Sequence, residues 1–195
     1  LYHDPETKEW QTADIYLSGN VRAKLATAER AGGEYARNVE ALRTVQPEDV
    51  LPGDIDANLG APWIPDRDMQ DFAACLFGVT PSAIHIGHLK KDALWSVSGG
   101  LDLSSSVAAT ADYGTERANG VWLLEQALNL KSPTLYDVIR HTDGSEERRV
   151  NQDEALAARE KQKRIKERFK VWVFADPERT ERLVRLYNDT YNNIR

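Results

Sequence analysis

The chain has 195 residues, of which 41% are hydrophobic and 29% are charged, and its formal net charge is −6. These values are typical of a globular protein with a core of its own, and no apolar run approaches the roughly 20 residues that a membrane span requires. The single cysteine, Cys75, excludes a disulfide framework and a cysteine-rich zinc site. We therefore expect a cytoplasmic protein without membrane contact, in which Cys75 is buried and inert because it lies in an apolar stretch.

The first third of the chain predicts a lead-in, two helices and a connector. Residues 1–16 are polar with scattered aromatic side chains, and we interpret them as irregular. Over residues 17–45 apolar side chains recur at three- and four-residue steps, as one face of a helix requires. Gly32-Gly33 interrupts the pattern, so either two helices or one bent helix is expected. Residues 47–65 are rich in Pro, Gly and Asp and predict an ordered connector.

The middle of the chain predicts a helix, a hairpin, a loop and a second helix. Asp66 is placed to cap the first helix, and Gly78 to end it in a left-handed conformation. Alternation over residues 83–97 predicts a hairpin, and the small polar residues 99–110 predict a mobile loop. The next helix is expected to begin at Thr115.

The last third predicts a second hairpin and two helices. Asp143-Gly144 is a strong hairpin-turn signal within residues 134–150. Asn151, followed three residues later by Glu154, predicts the start of a long helix, and Asp176-Pro177 the start of the final one. Because the final helical pattern runs to the last residue and the first residue is Leu1, we expect a piece of a longer polypeptide.

Together these elements predict an α+β fold that is mainly helical, with five to six helices and two short antiparallel hairpins. After the lead-in of residues 1–16, residues 17–195 are expected to form a single accessory or connector domain. Any sub-boundary is expected near residues 99–112, where the sequence is small and polar.

Positive charge is concentrated in one predicted helix. Residues 159–170 contain seven basic and two acidic side chains, a local charge of +5, so the rest of the chain carries −11. Lysine and arginine on a rigid helix can neutralise phosphates, which predicts nucleic-acid binding, although a solvated helix face has the same pattern. The predicted nucleic-acid-binding residues are Arg159, Lys161, Lys163, Arg164, Lys166, Arg168 and Lys170.

Other candidate sites have weaker patterns. Gly114, Thr115 and Arg117 precede a predicted helix and could contact a phosphate, although we prefer the simpler interpretation of Thr115 as a helix cap and Gly114 as a turn residue. No glycine-rich loop ends in Gly-Lys-Ser/Thr, so no nucleotide cradle is expected. His85 and His88 stand three apart on a predicted strand and point to opposite faces, so no metal site is expected.

Two further patterns concern catalysis. Asn188-Asp189-Thr190-Tyr191 is similar to the loop with which adenine methyltransferases hold a flipped base, but it lacks the two prolines, so we interpret it as exposed helix surface. No catalytic residue is assigned. An enzyme remains an alternative if the fold brings together side chains from a set of five acidic and histidine residues: Asp14, His85, His88, Asp112 and Glu116.

Several motifs in order resemble one protein family. They are Tyr16-Leu17-Ser18-Gly19-Asn20-Val21-Arg22 with Lys24-Leu25, Leu59-Gly60-Ala61-Pro62-Trp63-Ile64-Pro65, Tyr113-Gly114-Thr115-Glu116-Arg117, residues 157–169 with Lys161-Gln162 and Ile165-Lys166, and Tyr187-Asn188. The family comprises the large helicase-related proteins of phages, plasmids and other mobile elements, which join an adenine-methyltransferase-like module to a superfamily-two, DEAD-like helicase. The resemblance implies a region just before the helicase core.

The resemblance and the charge pattern give one expected function and one alternative. The expected function is a non-catalytic accessory or connector domain that helps a neighbouring motor engage DNA through the basic helix. The alternative is a structural scaffold that packs the adjacent helicase and methyltransferase-like modules against each other. No cofactor is expected in this chain, because ATP and magnesium would belong to the helicase core of the parent protein.

Overall fold

A computed structural model describes residues 1–195. In chain order the elements are β1 (Tyr2–His3), β2 (Trp10–Gln11), α1 (Ala13–Tyr16), α2 (Val21–Ala31), α3 (Ala36–Thr44), α4 (Asp66–Phe77), β3 (Ile84–Leu89), β4 (Leu94–Gly99), α5 (Leu101–Ser104), a π-helical turn (Ala108–Asp112), α6 (Gly120–Leu128), β5 (Tyr136–Arg140), β6 (Glu146–Val150), α7 (Gln152–Trp172) and α8 (Pro177–Tyr191). Three antiparallel two-stranded sheets pair β1 with β2, β3 with β4 and β5 with β6. The predicted fold class, α+β and mainly helical, is confirmed. None of the helices combines the length and the apolar character needed to cross a bilayer.

The chain divides into two compact units. Unit 1 comprises residues 1–55 and 177–195, and unit 2 comprises residues 56–176. The sequence predicts instead one domain over residues 17–195 with a sub-boundary near 99–112. One division falls within the predicted connector, and the other falls at the Asp176-Pro177 step. The sequence pattern does not show that α8 returns to the first unit, because that association is not local.

The core of unit 1 is formed by residues on either side of the predicted helix break. Gly32 and a 3₁₀ turn separate α2 from α3, as the sequence predicts. The lead-in is not irregular: β1 pairs with β2, and the ring of Tyr2 stacks on the buried ring of Tyr16. The buried core side chains are Tyr16, Val21, Ala28, Tyr35 and Leu42.

A charged network in unit 1 is centred on Arg22, whose side chain is only 8% exposed. Its guanidinium donates to the carbonyls of Asn192 (2.7 Å) and Pro47 (3.0 Å) and pairs with Asp49 at 2.6 Å. Arg185 on α8 reaches the other oxygen of Asp49 at 3.0 Å. Burial alone would raise the pKa of Asp49, but the hydrogen bond from Arg22 and the charge of Arg185 outweigh it, so the pKa lies below its ordinary value.

Asn188 joins α8 to the segment around Val50. Its side chain is fully buried; the amide oxygen accepts from the Val50 N–H at 2.8 Å, and the amide nitrogen donates to the Val50 carbonyl at 3.0 Å. The interpretation of residues 188–191 as exposed helix surface is therefore wrong at Asn188. The helical pattern also ends earlier than predicted, at Tyr191, since Ile194 forms a β-bridge with Asn20.

Helix α4 of unit 2 follows the sequence pattern except at two residues. Gly78 ends it in the left-handed conformation (φ 66°, ψ 34°), as predicted. Pro65 occupies the cap position and Asp66 is the first helical residue, so the cap predicted at Asp66 is wrong by one residue. Cys75 is exposed and not buried. Its apolar neighbours in sequence lie on the inward side of the helix, whereas Cys75 lies on the outward side.

Both predicted hairpins are confirmed, and helix side chains complete the edges of the first one. The amide of Asn129 on α6 accepts from Trp95 N (2.8 Å) and donates to Trp95 O (2.8 Å) on β4. Gln70 on α4 accepts from Ile86 N on β3 at 3.3 Å.

The predicted loop over residues 99–110 is instead largely helical, because α5 and the π-helical turn bury Leu103 and Ala109.

Replacing Asn188 by alanine tests the buried amide. The Asn188→Ala variant would leave both polar groups of Val50 without their partner, so we expect a loss of about 2 kcal/mol in the free energy of unfolding. Thr190→Ala, which changes an exposed residue of the same helix, is the matched control and is expected to stay within about 0.5 kcal/mol. Urea unfolding measures both, and equal midpoints for the two variants would refute this role of Asn188.

The Asp49 network predicts a pH dependence. Because the pKa of Asp49 is lower in the folded protein than its ordinary value of 3.8, its stabilising contribution is fully present above that value and is lost as the pH falls through the folded pKa. We expect Asp49→Asn to be less stable than the parent at neutral pH. On acidification the variant is expected to lose less free energy of unfolding than the parent loses. Asp54→Asn, an exposed carboxylate in the same unit, is the control. Parallel pH profiles for Asp49→Asn and the parent would contradict the prediction.

Candidate nucleic-acid interface

Helix α7 carries the predicted basic residues, and one buried stripe fixes its orientation. As predicted, Asn151 caps the helix, accepting from the Glu154 N–H at 3.1 Å. The stripe recurs at three- and four-residue steps and consists of Ala155, Ala158, Gln162, Ile165 and Phe169. Phe169 packs edge-on against Phe72 of α4 with ring centroids 5.0 Å apart, and the amide of Gln162 donates to the Lys131 carbonyl at 2.9 Å. These contacts determine which sides of α7 face solvent.

The seven cations of α7 form two stripes, one on each flank of the buried residues. Helical spacing places Arg159, Lys163, Lys166 and Lys170 on one flank. It places Lys161, Arg164 and Arg168 on the other flank. None of the seven cations forms an ion pair with a carboxylate of the chain, and the pairs that do form lie elsewhere.

Backbone carbonyls hold three of these cations. Lys161 donates to the carbonyl of Ala111, and Arg164 donates to the carbonyl of Asp112 at 3.5 Å, both at the end of the π-helical turn. Arg159 donates to the Pro133 carbonyl at 3.2 Å. Carbonyls at a helical end carry partial negative charge, so cations placed there stabilise the fold. The sequence does not reveal this structural role, and nucleic-acid contact by these residues stays a prediction.

Three lysines on one flank have no partner in the protein. Lys163, Lys166 and Lys170 are exposed, and we call them the lysine stripe. They border a cleft of about 400 Å³ together with Glu167, Asn58, Leu59 and Leu130. With three ammonium groups and one carboxylate, the rim of the cleft carries a net charge of +2. This surface can attract an anionic ligand without first breaking an internal ion pair.

No helix begins at the phosphate contact predicted for Gly114, Thr115 and Arg117. Helix α6 begins at Gly120, so the start predicted at Thr115 is wrong. Residues 113–119 form a turn instead: the hydroxyl of Thr115 accepts from the Ala118 N–H at 3.0 Å. Arg117 pairs with Asp137 at 2.7 Å and donates to the Tyr136 carbonyl at 2.8 Å. Phosphate contact there stays a prediction, but the charge of Arg117 already has a partner.

The side chains considered for an enzyme do not bond to one another. Asp14 belongs to unit 1, whereas the other four belong to unit 2. His88 stacks on Trp95 with ring centroids 3.8 Å apart and planes within 2°. Burial, and secondly the positive charge of Lys90, lower the pKa of His88 below its ordinary value. Stacking on a cross-strand neighbour gives His88 a packing role in the hairpin.

Comparison with known proteins identifies a family. A family model described as Domain of unknown function (DUF8437) matches residues 58–193, which is well over half of the chain. The chain belongs to this family. The DUF8437 match includes the lysine stripe and the 113–119 turn, and it leaves β1 to α3 outside. No curated protein and no solved structure matches the chain. Since the family description carries no activity, the helicase context stays a prediction.

Close packing around Gly114 gives a testable consequence. A Cβ atom at this position would lie 2.1 Å from the Ala109 carbonyl oxygen and 2.9 Å from the Gly120 nitrogen. We therefore expect Gly114→Ala to lower the free energy of unfolding by about 2 kcal/mol or more, through displacement of backbone. Gly100→Ala is the control, because a Cβ atom there meets nothing within 4 Å. Thermal unfolding compares the two, and equal midpoints would refute the steric role.

Proposed function

We propose that unit 2 is a non-catalytic accessory module that contacts the phosphate backbone of DNA through the lysine stripe of α7. The observation that supports the proposal best is the presence of three neighbouring, exposed ammonium groups without internal partners, in a chain whose net charge is −6. In an anionic protein such a local cationic surface directs an anionic polymer to one place on the molecule.

The spacing of the stripe fits a nucleic-acid backbone. A helix rises about 1.5 Å per residue, so the Cα atoms of Lys163 and Lys170 are separated by roughly 10 Å along the axis. One DNA strand carries a phosphate about every 3.4 Å of duplex axis, so the stripe covers about three phosphates. Lysine is a flexible point charge and does not read base edges in this arrangement, which makes the expected contact independent of sequence.

The resemblance to helicase-related proteins extends the proposal. In that context the module lies in the cytoplasm beside an adjacent helicase core and a methyltransferase-like module of the same polypeptide. ATP and magnesium then belong to the helicase core. The module contributes affinity for DNA near the motor, and no chemical step is assigned to it.

A structural scaffold is the second candidate, supported by exposed apolar side chains on α7 and at the cleft beside the lysine stripe. Leu156 and Val171 on α7 are 60% and 72% exposed, and Leu130 at the cleft is 78% exposed. A protein partner with an acidic surface could cover these side chains and pair with the lysines at the same time. In that case the basic helix would join neighbouring modules and would not contact DNA.

A salt titration with matched lysine variants tests the proposal. Anisotropy measures the binding constant for a fluorescently labelled DNA duplex. The logarithm of this constant is expected to fall linearly with the logarithm of salt concentration, and the steepness of that fall is the slope compared below. Lys163→Gln/Lys166→Gln is expected to lower the slope by roughly 1.5 to 2, because two phosphate contacts are lost. Lys90→Gln/Lys91→Gln, two exposed lysines in the β3–β4 turn, is the matched control and is expected to retain the parent's slope.

The outcomes separate the two candidates. Absence of DNA affinity at low ionic strength would refute the contact proposal, and so would an equal effect of both double variants. Tight binding to a purified helicase core that is weakened by Lys163→Gln/Lys166→Gln, without any affinity for DNA, would establish the scaffold instead.

A further inference from the structure

An aromatic cluster in unit 1 presents an exposed tryptophan. Trp10 on β2 is 69% exposed and is the cross-strand partner of His3 on β1. The His3 and Trp10 rings are 5.2 Å apart between centroids and tilted by 49°. His3 also stacks on the buried Tyr35, at 5.9 Å and 17°, and its Nδ1 lies 3.2 Å from the Tyr35 hydroxyl. The indole is therefore supported by a ring that the core holds in place.

A guanidinium group stands beside this cluster. Tyr2 stacks on the fully buried Tyr16, and the guanidinium carbon of Arg37 lies 5.0 Å from the centroid of the Tyr2 ring. Arg37 is exposed and forms no ion pair in the chain. Its side chain is held over an aromatic face in the manner of a cation–π contact, which leaves its N–H groups available to an anionic ligand.

A cleft of about 350 Å³ is bordered by Tyr2, His3, Trp10 and Arg37, and it is large enough for a small planar ligand. The cleft offers aromatic faces, the guanidinium of Arg37 and the carboxylate of Glu34, whereas the amide of Asn38 already donates to the His3 carbonyl at 2.8 Å. Arg37 can pair with an anionic group, Glu34 can accept a hydrogen bond from a ring amine, and an aromatic face attracts a planar ring. The combination therefore suits a planar, hydrogen-bonding group attached to an anion. A nucleotide has this composition, because its base is planar and its phosphate is anionic.

We propose that this cleft binds one nucleobase of single-stranded nucleic acid, stacked on Trp10, with the adjoining phosphate at Arg37. Stacking of a base on an exposed aromatic side chain is tolerant of sequence, since every base has a π face. The inference does not depend on the function proposed for the lysine stripe. The residues involved belong to unit 1 and lie outside the range matched by the family.

Two single strands of equal length separate base stacking from phosphate binding. One is an oligothymidylate, and the other is an abasic deoxyribose-phosphate strand with the same number of phosphates. With the full chain, Trp10→Ala is expected to weaken oligothymidylate binding about tenfold and to leave the abasic strand unaffected. Trp10→Phe should retain most of the affinity. Trp122→Ala, which alters a tryptophan of unit 2 that is 37% exposed, is the control and should change neither.

Each result bears on the inference separately from the lysine stripe. Equal weakening of both strands by Trp10→Ala, or no weakening of either, would overturn the base-stacking proposal, provided that circular dichroism shows the variant folded. Tighter binding of a trimethyllysine peptide than of oligothymidylate would also overturn it. If Lys163→Gln/Lys166→Gln leaves duplex binding unchanged while Trp10→Ala discriminates between the two single strands, the aromatic site stands and the lysine contact fails.

Discussion

Burial of one stripe of α7 determines where every cation of that helix lies. The inward-facing side chains from Ala155 to Phe169 occupy one side of the helix. The lysines and arginines between them therefore project from its two flanks. On one flank Lys161 and Arg164 meet the carbonyls that end a π-helical turn, and their charge becomes part of the fold. On the other flank the lysine stripe meets no acceptor. The difference between structural and available charge thus follows from packing, because the sequence supplies cations to both flanks.

Side-chain amides satisfy backbone polar groups at a strand edge and in two connecting segments. A two-stranded sheet leaves the N–H and C=O groups of its outer edges unpaired, and burying such groups without partners costs free energy. Asn129 gives both an acceptor and a donor to Trp95, and Asn188 does the same for Val50. Gln162 satisfies a carbonyl beyond α6 from within the buried stripe of α7. The same kind of contact that completes the hairpin edge therefore also fixes the helix that presents the lysines.

Local signals in the sequence predict local structure well in this chain. The left-handed end at Gly78, the turn at Asp143-Gly144 and the cap at Asn151 each depend on a few neighbouring residues, and all three are present. The sequence does not reveal the exposure of Cys75, because a hydrophobic neighbourhood does not show which side of a helix faces the core. It also does not reveal the late start of α6, because Thr115 has the character of a helix cap but closes a turn onto Ala118 instead.

The same distinction holds for the candidate sites. The sequence identifies the cations of α7, but it cannot separate them into two groups, because the carbonyls that hold Arg159 and Lys161 lie 26 and 50 residues away. The aromatic cluster was missed altogether. Its signal was present as scattered aromatic residues in a lead-in interpreted as irregular, and only the pairing of β1 with β2 brings His3 beside Trp10.

The chemistry of the two proposed surfaces limits what kind of nucleic-acid contact this chain can make. Discrimination between bases requires donors and acceptors aimed at base edges, usually bidentate groups of Arg, Asn or Gln. The lysine stripe offers point charges, and the nearby amide of Asn58 already donates to Asp56 at 2.7 Å. Trp10 offers a π face that accepts any base. A protein that holds nucleic acid only by charge and stacking does not discriminate between sequences. This property is compatible with the proposed place beside a motor, because a moving strand would not be held at one sequence.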